Sequence, residues 1–129
     1  LAFATGTSWG TFGILIPICI AVCPATEPLR IISISACMAG AVCGDHISPI
    51  SDTTIMASAG AECKHVHHVS SQLPYALTVA SVSFLTFVVA GFTQEFGAVA
   101  SAIISWLVGI GLLTAALMFL KRNDKKASK

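Results

Sequence analysis

An all-α, multi-pass membrane protein is predicted by three features of this sequence: its composition, the length of its uncharged runs, and one polar cluster that interrupts them. Of 129 residues, 55% are hydrophobic and 10% charged, with a mean hydropathy of +0.84, far from the usage of a soluble domain. Leu1 to Thr26, Val69 to Gln94 and Phe96 to Leu120 contain no Asp, Glu, Lys or Arg, and each reaches the roughly 20 residues that cross a hydrocarbon core. The bilayer is therefore the expected solvent. Against that background Gly44-Asp45-His46-Ile47-Ser48-Pro49-Ile50-Ser51-Asp52-Thr53-Thr54 gathers two carboxylates, an imidazole and four hydroxyls. At bilayer depth such groups persist only where they face protein, water or an ion.

The elements follow in order. Leu1 to Gly10 is uncharged yet rich in Gly, Thr and Ser, which reads as a re-entrant tip hinged at Gly6. Thr11 to Val22 is a short apolar helix with Pro17 inside it, ended by Pro24 and Pro28. About 12 helical residues rise ~18 Å, so this is a re-entrant half-helix rather than a crossing. Arg30 to Ala61 as one straight rod would be ~48 Å, too long for the core, and Gly44 and Pro49 supply an interruption. The result is one discontinuous transmembrane helix: a first half from Ile31 to Cys43, an unwound segment from Gly44 to about Ser48, and a second half from Pro49 to Gly60. Gly44 suits a left-handed C-cap, and Ser48-Pro49 suits an N-cap followed by proline in the first turn. Ala36, Gly40 and Gly44 share one face, where small side chains admit a close neighbour. Ala61 to Leu73 reads as a polar connection. Pro74 to Phe92 and Val99 to Leu120 are two full transmembrane helices joined by Thr93-Gln94-Glu95. The five cysteines lie mostly in apolar runs, where thiols act as small hydrophobes, and they form no disulfide framework.

Lys121, Arg122, Lys125, Lys126 and Lys129 hold most of the seven basic charges, directly after the last apolar run. Such a flank marks the cytoplasmic side. Alternation then places the Glu95 link outside, the Lys64 loop inside and the Glu27 to Arg30 link outside. Residues 1–120 are assigned to a membrane domain and 121–129 to a basic cytoplasmic tail. The tail reads as an orientation signal, not a nucleic-acid site. Leu1 follows no basic n-region or cleavage signal, so the chain is expected to be a portion of a longer polypeptide. Broken helices and re-entrant elements recur in inverted-repeat transporters, and this chain reads as one such half.

The chemistry expected at the break is ionic. Carbonyls of Ala41, Val42 and Cys43 would present the negative pole of the first half-helix, which favours a cation. A carboxylate beside that pole, away from water, is not stable bare and takes up either a proton or an alkali ion. Hydroxyls of Ser48, Ser51, Thr53 and Thr54 are the hard oxygens that small cations prefer. Competition between two ions for one carboxylate is the minimum requirement for sodium/proton exchange.

Ala4 to Thr11, Gly44 to Thr54, Ser58 to Ala61 and Gln72 to Ala76, in that order, closely resemble the NhaC-type sodium/proton antiporter family. Ile47 stands where the family pattern has cysteine, a change of one hydrophobe for another. The resemblance implies an inner-membrane, multi-pass antiporter of several hundred residues, not an enzyme, with no cofactor and with Na+ and H+ as transported species. This chain would be its C-terminal portion. The family also includes members coupling malate uptake to lactate export, so a sodium-coupled organic acid exchanger is the alternative. A broader architectural likeness to ion transporters would set Thr5, Gly6, Thr7 and Ser8 across the ion from Asp45 to Asp52.

Together these readings make Asp45 and Asp52 the carriers of sodium and proton. His46 tunes or relays protons, and Ser48, Ser51, Thr53, Thr5, Thr7 and Ser8 supply neutral oxygens. Gly44, Pro49 and Gly6 form the hinges, and Trp9 helps shape the cavity. Expected partners are the lipid bilayer, the N-terminal half of the same transporter, small ions, organic acids and a second copy in a homodimer. Competing chemistries are a zinc site at Cys63, His65, His67 and His68, a channel, and an intramembrane aspartyl protease, which needs its carboxylates on facing helices.

Overall fold

Polar side chains are buried and large apolar ones exposed, the inverse of a soluble protein. The computed structural model describes residues 1–24 and 28–127, and among them the buried hydrophobic residues are Ala2 and Ala41. Thr11, Asp45, Ser48, Ser51, Thr54, Ser58, Ser101 and Ser105 are buried, whereas Phe84, Phe92, Trp106 and Leu107 are open. Lipid tails are as apolar as Leu, so packing relies on small residues and hydrogen bonds instead.

The helices are α1 (Ala2–Thr5), α2 (Ser8–Val22), α3 (Pro28–His46), α4 (Asp52–Gly60), α5 (His65–Thr93) and α6 (Ala98–Ala127), with a 3-10 turn at Gln94–Phe96. Pro28–His46, His65–Phe96 and Ala98–Phe119 are long and apolar enough to cross a membrane, and Ser8–Val22 is a shorter apolar helix. The all-α, multi-pass reading therefore holds. The link at Glu27 lies outside the described residues. Two compact units emerge, Leu1–Ala80 and Ser81–Lys129, with α5 running through the boundary.

In the first unit, Thr7 is extended and caps α2, so the helix starts at Ser8 and not at Thr11. Gly6 adopts φ 65 between α1 and α2, a left-handed conformation that costs other residues ~1–2 kcal/mol. The α2 and α3 helices pack antiparallel: the Cys19 and Cys37 sulfurs are 3.2 Å apart, and Cys23 Sγ lies 3.7 Å from Ser33 Oγ.

Two expectations about the broken helix are corrected. The first half does not end at Cys43 but runs through Gly44 to His46. Gly44 is instead a contact point, where a Cβ would come within 3.0 Å of Ala2 Cβ and 3.1 Å of the Phe3 nitrogen. The second half starts at Asp52, with Ser51 as its N-cap, so Pro49 lies within the turn and does not open a helix. The break thus covers 47–51. Of the small-residue face, Gly44 is used, while Gly40 meets nothing within 4 Å.

After α4 the chain turns through Glu62 at φ 51. Glu62 N bonds Ala59 O at 3.1 Å and Cys63 N bonds Ser58 O at 3.1 Å, the paired bonds of a Schellman ending. The stretch expected as a polar connection as far as Leu73 is helical from His65, and Pro74 is internal. Ser70 donates to Val66 O and Ser71 to His68 O, so these polar residues are satisfied within their own helix and do not require a loop.

In the second unit, Gly97 at φ 94 separates the 3-10 turn from α6. Packing between the C-terminal part of α5 and α6 uses small groups. A Cβ on Gly109 would lie 3.2 Å from Thr86 Oγ1, and Ser101 Oγ bonds Thr93 Oγ1 at 3.0 Å. The α6 backbone continues to Ala127, so most of the stretch assigned to a separate tail extends the last helix.

Candidate functional site

Five residues, Ile47 to Ser51, join the end of α3 to the start of α4, and polar contacts from other elements converge on them. Asp45 occupies the last turn of α3 and is 5% exposed. Its Oδ1 accepts the Ser51 hydroxyl at 2.7 Å, and Ser51 Oγ lies 2.8 Å from Thr53 Oγ1. Ser51 has a single proton, given to the carboxylate, so the Thr53 hydroxyl donates to Ser51. A directed chain results, Thr53 to Ser51 to Asp45.

Ser51 is the N-cap of α4, yet its side chain makes no capping bond. That hydroxyl would ordinarily bond its own helix, but it is turned to Asp45. The carboxylate thus lies at the negative end of α3 and is joined through Ser51 to the positive end of α4. This revises the expectation from sequence, in which only the repulsive pole was considered.

Asp52 is the first residue of α4, exposed, with Oδ1 accepting its neighbour's Thr53 N–H at 2.7 Å. The two aspartates sit in different environments. The His46 ring is exposed, and Nδ1 donates to Val42 O at 2.9 Å.

The α1 to α2 tip lies against the break. Ser48, fully buried, donates to Phe3 O at 2.8 Å and accepts from Ile50 N at 3.3 Å. A Cβ on Gly6 would meet Ile50 Cγ1 at 2.9 Å and Ile50 O at 3.0 Å. The remaining tip hydroxyls are engaged locally: Thr5 Oγ1 is 3.3 Å from Leu1 O, and Thr7 Oγ1 accepts from Gly10 N at 3.4 Å. Ser8 is the first residue of α2. Asp45, Ser51 and Thr53 are therefore brought together, while Thr5 and Thr7 bond within their own segment.

The end of α3 is closed one turn later than expected. Ile47 N bonds Cys43 O at 3.2 Å and Ser48 N bonds Asp45 O at 3.0 Å. The His46 carbonyl accepts from Thr54 Oγ1 at 2.9 Å and Gln72 Nε2 at 2.6 Å. With two donors on two lone pairs, that carbonyl is occupied.

Sequence reasoning missed Gln72 and His65. Gln72 stands in the Gln72-Leu73-Pro74-Tyr75-Ala76 motif, which was a signal. His65 lies in a histidine-rich stretch whose one signal, a competing zinc site with Cys63, His67 and His68, pointed to a different role. His65 Nε2 is 2.7 Å from Pro49 O and Nδ1 is 3.0 Å from Ser58 Oγ, so both nitrogens already have partners. Among the described residues no three His, Cys, Asp or Glu side chains are placed to hold a metal, and the zinc arrangement does not form. The Asp45, Ser51 and Thr53 oxygens are of the hard type that small cations prefer.

Residues 1–92 match the model of the Na+/H+ antiporter family. The chain is 56% identical over 96 residues to a protein of Haemophilus influenzae of unassigned function, covering 74% of this chain and 18% of that one. It is 34% identical over 93 residues to the malate-2H(+)/Na(+)-lactate antiporter of Bacillus subtilis, covering 71% and 20%. It is also 34% identical over 101 residues to an uncharacterized Na(+)/H(+) antiporter of Haemophilus influenzae, covering 78% and 22%. The chain thus spans about a fifth of the length of these relatives. No solved structure matches it.

Proposed function

Because the chain belongs to the Na+/H+ antiporter family, we propose that this portion of a secondary transporter exchanges sodium for protons through Asp45 at the break between α3 and α4. The supporting observation is a buried carboxylate that accepts a hydroxyl aligned by a second hydroxyl. Ionised Asp45, with Ser51 and Thr53 turned to present lone pairs, gives a sodium ion three oxygens. Protonated Asp45 loses its charge and with it most of its hold on the cation. One carboxylate cannot carry both loads, so arrival of either ion expels the other.

Asp52, exposed on the first turn of α4, draws cations to the break and forms the second carboxylate of the site. His46 passes protons between solvent and Asp45. Ser48 and Pro49 with Gly6 and Gly44 hold the tip and break together, and Thr5, Thr7 and Ser8 approach the ion when the tip moves. The complete protein is an inner-membrane antiporter with the basic end of α6 cytoplasmic, the rest of the transporter as partner, and a homodimer as its assembly. A second reading, a sodium-coupled organic acid exchanger, is favoured by the likeness to the malate-2H(+)/Na(+)-lactate antiporter of Bacillus subtilis.

The test is sodium-jump exchange by the complete antiporter polypeptide in proteoliposomes, reading internal pH with and without malate and lactate. Asp45→Asn is expected to abolish sodium-driven proton movement, and Asp52→Asn to raise the sodium needed for half-maximal rate. Lys125→Ala should leave both unchanged. Undiminished exchange by the Asp45→Asn protein would remove the assignment, and exchange that requires malate or lactate would select the second reading.

A further inference from the structure

The turn at the break is held at its first half by Ser48, whose N lies 3.0 Å from Asp45 O and whose hydroxyl donates to Phe3 O at 2.8 Å, and Thr54 Oγ1 donates to His46 O at 2.9 Å. The later bonds within the turn are longer, with Ser51 N at 3.3 Å from Ser48 O and Ile50 N at 3.3 Å from Ser48 Oγ. Two shorter contacts come from the first three turns of α5: Gln72 Nε2 to His46 O at 2.6 Å and His65 Nε2 to Pro49 O at 2.7 Å. These carbonyls stand at the entry and the middle of the turn. A carbonyl only accepts, so Nε2 of His65 carries the hydrogen, and Nδ1 lies 3.0 Å from Ser58 Oγ of α4, whose one proton is shared between that nitrogen and Ile55 O at 2.9 Å. His65 therefore links the turn, α4 and α5 through one ring.

We propose that His65 and Gln72 are positioning residues for ion exchange, holding the backbone of the break by its His46 and Pro49 carbonyls so that Ser51 meets Asp45. This rests on the reading of Asp45 and Ser51 as the ion site. Pro49 and Ser51 are separated by one residue, so displacement of the Pro49 carbonyl moves Ser51 with it. The Ser51 to Asp45 contact is 2.7 Å, and a shift of about 1 Å takes it beyond hydrogen-bond length. Neither α5 side chain touches the ion; both act through the turn. The plain alternative is that these are ordinary packing bonds, which would affect the amount of folded protein but not the site.

A double-mutant cycle in the complete antiporter separates the two, with sodium half-saturation, maximal exchange rate and amide hydrogen exchange of residues 47–54 all measured. His65→Ala and Gln72→Ala are each expected to raise the sodium half-saturation about fivefold, the equivalent of one ordinary hydrogen bond. They should also speed amide exchange at Ile47, Ile50 and Ser51. His65→Gln, which can still give an N–H to the Pro49 carbonyl, is expected to recover most of the loss. Ser71→Ala, whose hydroxyl bonds only its own helix at His68 O, should match wild type. In a Ser51→Ala background, His65→Ala is expected to add little, because residues acting through one contact are not additive. Effects that multiply in full across His65 and Ser51, or equal losses in His65→Gln and His65→Ala, overturn the proposal. Should His65→Ala fail to accumulate, Gln72→Ala with Ser51→Ala carries the same cycle. If Ser51→Ala and Asp45→Asn both exchange normally, the ion-site reading falls and takes this proposal with it. If they are impaired while His65→Ala and Gln72→Ala are not, only the proposal falls.

Discussion

Asp45 and Asp52 flank the same break and meet opposite surroundings, and the difference lies in what each carboxylate touches. Asp45 is buried and receives the Ser51 hydroxyl, whereas Asp52 is exposed and bonds its own helix. Gly6 decides whether the tip can approach them. An alanine there must adopt φ 65, and its Cβ would meet the Ile50 backbone oxygen at 3.0 Å. The left-handed conformation and the overlap together are expected to cost about 2–4 kcal/mol. Gly6→Ala should therefore lower the melting temperature of the purified antiporter and its exchange rate together. A Gly6→Ala protein with unchanged melting would show that the tip does not rest on the turn in this way.

At the scale of the elements, α3 is the frame on which α1, α2 and α4 are arranged. It stays helical through Gly44 because that residue has no side chain where α1 crosses. Gly44→Val is accordingly expected to push α1 away and break the Ser48 to Phe3 bond, seen as faster hydrogen exchange at Ser48 and Ile50. The α2 to α3 packing has its own probe, since Cys19 and Cys37 sulfurs lie 3.2 Å apart. Mild oxidation with copper phenanthroline, with dissolved oxygen as the electron acceptor, should join them in a disulfide detectable by peptide mass mapping. Cys23, whose Sγ neighbour is Ser33 Oγ at 3.7 Å, should remain unjoined. A Cys23 to Cys37 link in place of Cys19 to Cys37 would place α2 in a different register on α3.

For the molecule as a whole, the inverted distribution of polar and apolar surface is what a lipid solvent demands. Buried Thr and Ser hydroxyls fasten elements within each unit, as Thr54 does to His46 O and Ser101 to Thr93, because hydrophobic burial offers little between helices in lipid. The orientation proposed from the basic residues at the C-terminal end has a direct check. A green fluorescent protein fused after Lys129 should fluoresce in intact cells, and a dark but fully translated fusion would reverse the topology.

Long uncharged runs announced the membrane class and the α5 and α6 helices, because hydration energy summed over about 20 residues overwhelms local detail. Residue motifs likewise announced the polar break and the antiporter family. The limits of the break were not legible in the same way. Glycine and proline are ordinarily helix breakers, but Gly44 and Pro74 lie inside helices, where packing and hydroxyl bonding outweigh propensity. The arrangement within the candidate site was decided only by tertiary structure. Which aspartate is buried, which hydroxyl reaches it, and which distant side chains hold the turn depend on contacts such as Gln72 to His46 O, between residues far apart in the chain. Hydropathy is a property of each residue and its near neighbours and survives in one dimension; a hydrogen bond across the fold exists only once the elements have met.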